Sequence, residues 1–589
     1  MGLPGRLTAS VVALALLLSG CAGLAPAAND SARLHALFER HWEARLRTEP
    51  EWASYRGEPR YNDRWLDNSP AGIAERDALA REALAEARAI DPAALSATDR
   101  VSREVFIDQR VHEVALQAHD GWRGRSLRSL WGYQTRLADV MRVMPMDTPA
   151  RVEQLLARLA AYPRSVDQEI ERLRRGLAAG WGSPRPVLER VKAQIDGQIA
   201  DPAPLLEPFG RLGSAIPAAE RTALQVRGRE AVARQVVPAL QRLAAFVADE
   251  ALPRAPQALG LGGLPGGSEA YAALVRERTT TELTPDAIHA IGLRELARLR
   301  AEMDAVQREL GHPGSFADFV AHLNSDPKFF ATGPEALLSA YRDIAKRIDP
   351  ELPRLFAELP RAPYGVRSLP AHLGPGAADN YTGPSLDGTR GGWFNATSAG
   401  WRIRPLWAAE TLVAHETVPG HHLQVARAAE LRDLPPFRRA GSVVAYNEGW
   451  ALYAETLGFE LGLYRDPTSR FGHLQWQSFR AARLVVDTGL HAKGWGRQQA
   501  IDFMLERTGA QRDFVENEVD RYLSQPAQAL GYMIGQLKIV ELRDRARAAL
   551  GERFDIRRFH MAVLDVGNVP MGVLDGVIDA WIAAERSAR

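Results

Sequence analysis

The sequence predicts a mainly α-helical protein, and three observations carry that prediction. Apolar residues recur at helical spacing along most of the chain. Strand-like stretches are confined to Gly365 to Leu373 and Gly392 to Thr397. Helix-start chemistry is explicit at Thr284-Pro285, an N-cap residue followed by proline at the first helical position. That pair opens a helix whose Ile288, Gly292, Leu296, Leu299 and Met303 fall on one face. Further amphipathic runs cover about 72 to 90, 97 to 118, 219 to 249, 442 to 461, 497 to 508 and 527 to 549. Both strand-like stretches lie just ahead of a His-Glu segment. Leu259 to Gly267, rich in Gly and Pro, is the best linker candidate; it is short and apolar, and reads as an ordered crossing.

The N-terminus carries an address. Arg6 supplies a short positive region, and Leu7 to Leu18 is an apolar stretch too short to span a bilayer. Leu18-Ser19-Gly20-Cys21 looks like a bacterial lipobox, in which the cysteine is acylated and becomes the mature N-terminus. Cys21 is the single cysteine of 589 residues, which excludes intramolecular disulfides and cysteine-based zinc sites. Ala22 follows, with no Asp to retain the protein at an inner membrane, so a Gram-negative source would place the anchor in the outer membrane, facing the periplasm. The organisation expected is a signal peptide over 1–20, a lipidated tether over 21–34, a helical N-terminal lobe over 35–360 and a catalytic lobe over 361–589, with the two lobes folded together as one unit. With residues 1–20 set aside, 72 basic side chains face 72 acidic ones. That balance argues against nucleic acid as a partner and leaves the lipid anchor as the expected membrane contact. No internal repeat or low-complexity tract is present, and no later run of apolar residues is long enough to cross a membrane.

Function concentrates in residues 415–424, His-Glu-Thr-Val-Pro-Gly-His-His-Leu-Gln. A His followed by Glu, with more His close behind on a helix, is how many zinc hydrolases begin. The spacing His-Glu-x-x-His fails, because the residue four after His415 is Pro419. On an unbroken helix His415 and His422 would lie about 10 Å apart along the axis. Pro419 prevents an unbroken helix, having no N–H for the carbonyl of His415. If Pro419-Gly420 bulges out as an insert, the remainder reads His-Glu-Thr-Val-His and His421 takes the second ligand position; His422 is the alternative. Glu448, in Ala445-Tyr446-Asn447-Glu448-Gly449-Trp450, supplies a third ligand after a reversal through Pro435-Pro436. Two His and one Glu leave a fourth Zn²⁺ position open to water, as in catalytic sites. Glu416 is then the general base. The competing view makes these His helix caps and Glu448 a solvated charge.

These segments resemble those of the bacterial domain of unknown function family 885. His415-Glu416 through Gln424 is similar to its central signature, and Glu448-Gly449-Trp450-Ala451-Leu452-Tyr453 to its second. Tyr381 to Ser385, Gly392-Trp393-Phe394, Arg483 to His491, Gly531 to Gly535 and Gly567 to Pro570 follow in the family's order. The resemblance extends over about residues 35 to 585. The family is similar in outline to helical zinc peptidases of the thimet-oligopeptidase and carboxypeptidase Taq type. That likeness implies a two-lobed zincin-like metallopeptidase, with a small β element beside the active-site helix and a narrow channel that admits short peptides. It implies that Trp393 to Ala396, with Trp393, Phe394 and Asn395 as contacts, pairs with extended substrate; the alternative is a buried hairpin. It also implies that Tyr532 donates to the oxyanion, with His491 as second choice. Asp487 either pairs with Arg483 across one helical turn or supports the site from behind. His372, His473 and His560 lack ligand-like spacing. The reaction expected is hydrolysis of short peptides in the cell envelope. Its rivals are a zinc amidohydrolase acting on a cell-wall amide, and a non-catalytic envelope scaffold or chaperone whose metal, held by both His421 and His422, staples two helices.

Overall fold

The computed structural model describes residues 27–369, 378–385, 388 and 390–587. Cys21, the lipobox and His372 lie outside the described residues. Helical periodicity is realised throughout, and 72% of the protein is helical. Among its helices are α1 (Ala27–Thr48), α2 (Ala97–Gln117), α3 (Gly267–Thr279), α4 (Pro285–Glu309), α5 (Ala409–Glu416), α6 (His421–Glu430), α7 (Val444–Thr456), α8 (Pro467–Ala492), α9 (Arg512–Ser524) and α10 (Gly531–Leu550). Thr284 caps α4 as its sequence predicts, accepting from the Ala287 N–H, and Ile288, Gly292, Leu296, Leu299 and Met303 are buried, on the helix that packs along α8. Residues 28–32, expected in the tether, are helical: α1 starts at Ala27 and Leu34 is buried. The Leu259–Gly267 stretch is an ordered crossing, with Leu261 buried and its N–H bonded to His491 Nδ1 at 3.1 Å.

Three short strands, β1 (Tyr364–Ser368), β2 (Asn380–Thr382) and β3 (Gly392–Ala396), form a sheet ordered β1-β3-β2. β3 runs parallel to β1, with Tyr364 opposite Gly392, and antiparallel to β2, with Asn380 opposite Asn395. β2 has no signal in the sequence, because three residues cannot display a period.

Burial divides into two hydrophobic clusters. One gathers residues from Leu127 to Leu323 with Trp407, Phe471 to Met504 and Val515 to Ile534. The other joins Leu34 to Phe106 with Leu337 to Phe394 and much of the C-terminal third. Each draws on both sides of residue 360. Helix α7 lies between them: Leu452 belongs to the first cluster, and Tyr446, Trp450 and Tyr453 to the second. The α7–α10 crossing is closed by glycines. A Cβ on Gly449 would stand 2.5 Å from Gly535 Cα, and one on Gly535 would stand 1.9 Å from the Ala445 carbonyl oxygen. That approach sets Glu448 on α7 against the start of α10, where Tyr532 lies.

Candidate metal centre

Helix α5 ends at Glu416, and α6 starts at His421. Between them the chain breaks helical geometry at Thr417 (φ −111°, ψ −120°) and Gly420 (φ −77°, ψ −128°). The break is wider than a two-residue insert, since it takes in Thr417 to Gly420. Hydrogen bonds span it: the Gly420 N–H donates to the Ala414 carbonyl at 3.0 Å, the His422 N–H to the Thr417 carbonyl at 2.9 Å, and the Trp450 indole to the Pro419 carbonyl at 2.9 Å. Gly420 is required by space. A Cβ there would stand 2.0 Å from the His415 carbonyl oxygen and 2.4 Å from that of Ala414.

This break brings His415, His421 and Glu448 together, with one ligand atom from each lying within 4.8 Å of the others. Glu448 Oε2 is 3.8 Å from His415 Nε2 and 3.4 Å from His421 Nε2. The imidazoles meet edge to face, with centroids 4.7 Å apart. Glu416 Oε2 is buried with no hydrogen-bond partner, while Glu448 Oε2 is buried against the two imidazoles with only these long contacts. A buried carboxylate oxygen held by long contacts alone is costly, and a cation among these donors would reduce that cost for Glu448. The donor set and its spacing fit a divalent metal of the kind imidazole and carboxylate bind.

The carboxylates are tuned in opposite directions. Burial pushes Glu416 up to about 7, against a weaker pull from His421. Burial would raise Glu448 as well, but the neighbouring His421 and His415 outweigh it and hold Glu448 at about 2. Glu448 is thus disposed to remain an anion, and Glu416 to exchange a proton near neutrality.

His415 is anchored from behind. Its Nδ1 lies 2.8 Å from Glu455 Oε1, and Glu455 also accepts from Gln477 Nε2 at 2.9 Å, with Arg480 at 3.8 Å. The His415 Nδ1–H donates to the Glu455 carboxylate, which leaves Nε2 with its lone pair toward Glu448, the arrangement that orients metal-binding imidazoles. Sequence reasoning missed Glu455. Its signal was its place two turns after Glu448 on the same helix.

Tyr532 is half-buried beside the cluster. Its ring is stacked with His415 at 6.5 Å and 9°, and the Arg483 guanidinium lies 4.5 Å over the ring. His422 is not in the cluster: its Nδ1 accepts from the Tyr381 hydroxyl at 2.8 Å and its Nε2–H donates to the Ala362 carbonyl at 3.0 Å. Both ring nitrogens are occupied, which removes His422 as a ligand and with it the closed four-ligand staple. His491 is corrected for the same reason. Its Nδ1 accepts from Leu261 and its Nε2–H donates to the Tyr522 carbonyl at 3.0 Å, so it has no N–H for an oxyanion.

Three further expectations change. Arg483 pairs with Glu518 at 2.7 Å, not with Asp487, which accepts from the Tyr271 hydroxyl at 2.6 Å and the Ala527 N–H at 3.0 Å. β3 is the central strand, so the Trp393 to Ala396 backbone has no free edge for a substrate. Phe394 is fully buried against Tyr341. The Asn395 amide donates to Thr382 Oγ1 at 2.8 Å and accepts from Arg367 at 2.7 Å, while Trp393 is half-buried beneath Arg367. On the edge strand β2, the Tyr381 ring stacks 6.4 Å from that of His421.

Residues 50–578 match the family model described as "Bacterial protein of unknown function (DUF885)". The protein belongs to this family. Among solved structures it is similar to a "putative lipoprotein" from Colwellia psychrerythraea, at 28% identity and a TM-score of 0.88, over 94% of this chain and 99% of that one. It has the same fold as a "putative lipoprotein of unknown function" from Shewanella oneidensis, at 18% identity and a TM-score of 0.72, over 92% of this chain and 99% of that one. No curated protein sequence matches it. No helix among the described residues is long and apolar enough to cross a membrane.

Proposed function

We propose that the protein is a zinc-dependent metallopeptidase that hydrolyses short peptides in the cell envelope. The observation that carries this reading is the convergence of His415, His421 and Glu448 within 4.8 Å, with the unpaired Glu416 carboxylate one residue from a ligand. His415 Nε2, His421 Nε2 and a Glu448 oxygen would hold the ion. When bound, Zn²⁺ supplies Lewis acidity and lowers the pKa of a water toward neutrality.

The protein's own residues then have defined tasks. Glu416 accepts a proton from the attacking water and delivers it to the nitrogen of the leaving amine, which balances the hydrolysis of one amide by one water. The Tyr532 hydroxyl donates to the carbonyl oxygen as negative charge grows on it. Glu455 keeps His415 in the tautomer that presents Nε2. The engagement of both His422 ring nitrogens elsewhere weighs against a closed, purely structural metal staple. The similarity to structures described as lipoproteins, together with the Leu18-Ser19-Gly20-Cys21 segment, supports a lipid anchor at Cys21; an outer-membrane site facing the periplasm follows for a Gram-negative source.

The test uses residues 22–589 purified without chelators, with metal measured by mass spectrometry beside His415→Ala and His421→Ala. About one zinc per chain in the parent, lost in both variants, is expected. Glu416→Gln should keep its metal and lose about 10²- to 10⁴-fold in peptide hydrolysis. Full activity in that variant would overturn the mechanism.

A further inference from the structure

Helix α8 carries a second polar cluster against the candidate metal centre. Arg480 and Arg483 lie one turn apart on it, each 5% exposed. Both guanidinium groups stand over the Tyr532 ring, with Cζ 5.9 Å from its centroid for Arg480 and 4.5 Å for Arg483. Arg480 Nη2 is also 3.8 Å from Glu455, the carboxylate that holds His415. Further rings pack on the pair: Trp476 lies 4.3 Å from the Arg480 guanidinium, and Phe479 5.1 Å from that of Arg483.

Donors are left over here. Both Glu455 oxygens are engaged, Oε1 by His415 and Oε2 by Gln477, and 3.8 Å is too long for a hydrogen bond from Arg480. Arg480 Nε and Nη1 are buried with no partner, and so is Arg483 Nη1. Arg483 commits its other groups to the Tyr522 hydroxyl at 3.0 Å and to Glu518 at 2.7 Å. Positive charge is left over too. Arg521 shares Glu518 with Arg483, at 2.9 Å, so three guanidinium groups face two carboxylates, Glu455 and Glu518. Asp487 is turned elsewhere, to the Tyr271 hydroxyl and the Ala527 N–H, and Glu416 and Glu448 are balanced by the divalent cation proposed between them. A water can take up a free N–H, but it leaves the charge uncompensated. Such a buried charge is costly, and the aromatic faces offset only part of that cost.

We infer that Arg480 and Arg483 form a buried receptor for one small monovalent anion, of the size and charge of chloride. The free donors are N–H groups with no acceptor among them, which selects an anion, and their burial selects a small one. Bound there, the anion supplies the missing negative charge beside Glu455 and Tyr532, so the carboxylate that orients His415 is no longer the only counter-charge for Arg480. The inference rests on the metal reading for the balance of Glu416 and Glu448, and makes no use of the peptidase reaction.

The test compares zinc-loaded residues 22–589 in sodium chloride and in sodium gluconate at equal ionic strength, gluconate carrying the same charge on a far bulkier body. The melting temperature should rise saturably with chloride, by about 1 °C once chloride stands about tenfold above its dissociation constant. Arg480→Gln should melt alike in the two salts. In crystals grown from sodium bromide, an anomalous peak is expected in contact with the free nitrogens of Arg480 and Arg483. Equal melting of the parent in chloride and gluconate, a chloride increment that persists in Arg480→Gln, or bromide crystals without that peak overturns the inference. The salt comparison and the bromide crystals use the parent chain, so an Arg480→Gln variant that fails to fold does not disable the test. Zinc content, measured on the same samples, reports the metal reading separately, and peptide hydrolysis is not read at all, so the failure of the peptidase reading leaves these outcomes unchanged.

Discussion

Replacing Glu455 separates support of the metal from the metal ligands themselves. Its Oε1 is 2.8 Å from His415 Nδ1, its side chain is 1% exposed, and it lies 3.8 Å from Arg480. Glu455→Gln preserves the shape and one acceptor oxygen but removes the charge that polarises the imidazole. Zinc affinity should weaken about tenfold, the lower end of what outer partners of metal-binding His contribute. Glu455→Ala also frees the His415 ring to rotate, and about 100-fold is expected. The Ala variant further leaves the Arg480 guanidinium buried without its carboxylate, at a cost of about 3 kcal/mol that thermal unfolding will register. The assay is competition for zinc against a chromophoric chelator at constant pH, read beside the melting temperature. A graded loss, Gln smaller than Ala, is the expected result. Unchanged zinc affinity in both folded variants would refute the view that Glu455 orients His415.

The remaining predictions concern the α5–α6 break and the buried imidazoles. Gly420→Ala drives a methyl into the His415 and Ala414 carbonyls, so it should cost about 3 kcal/mol and lower zinc content together, measured by thermal unfolding and metal analysis. His422→Ala should keep full zinc stoichiometry while losing about 1–2 kcal/mol from the Tyr381 and Ala362 hydrogen bonds; loss of metal would restore it as a ligand. His491 and His560 are held neutral, with pKa values lowered by burial to about 3 and about 4. His560 accepts from Tyr453 and donates to the Leu355 carbonyl. On acidification the unfolded chain takes up these protons first, so their contribution is complete above about pH 6.5 and shrinks by about 1.4 kcal/mol per residue for each pH unit below it, down to the folded pKa. Unfolding measured between pH 7 and 5.5 should show this slope, reduced when both are changed to Asn; an identical slope in that double variant contradicts the assignment.

Much of the architecture was legible because it rests on local rules. The α4 face follows from residue spacing and a Thr-Pro cap, and the interruption at Pro419-Gly420 from the chemistry of those two residues. The two-residue insert was too narrow, since Thr417 and Val418 also leave the helix. The β element was placed correctly, but its role in holding substrate was not: strand order decides which edge is free, and order is a property of pairing, not of sequence in one strand. Arg483 and Asp487 have helical spacing for an ion pair, yet each finds a better partner on another segment, Glu518 and Tyr271.

The sequence by itself determined the helical class, the distortion that must occur between His415 and His421, and the donor types able to hold a divalent cation. These depend on backbone stereochemistry and on residues close in the chain. Only the tertiary structure chose between His421 and His422, because that choice turns on which imidazole has its nitrogens claimed by Tyr381 and Ala362. Tertiary packing likewise brought Tyr532 to the cluster through the Gly449–Gly535 crossing, sent His491 to bind the backbone of Leu261 and Tyr522, and set Glu455 behind His415. Each is a contact between segments far apart in the chain, and such contacts are decided by which surfaces can pack together.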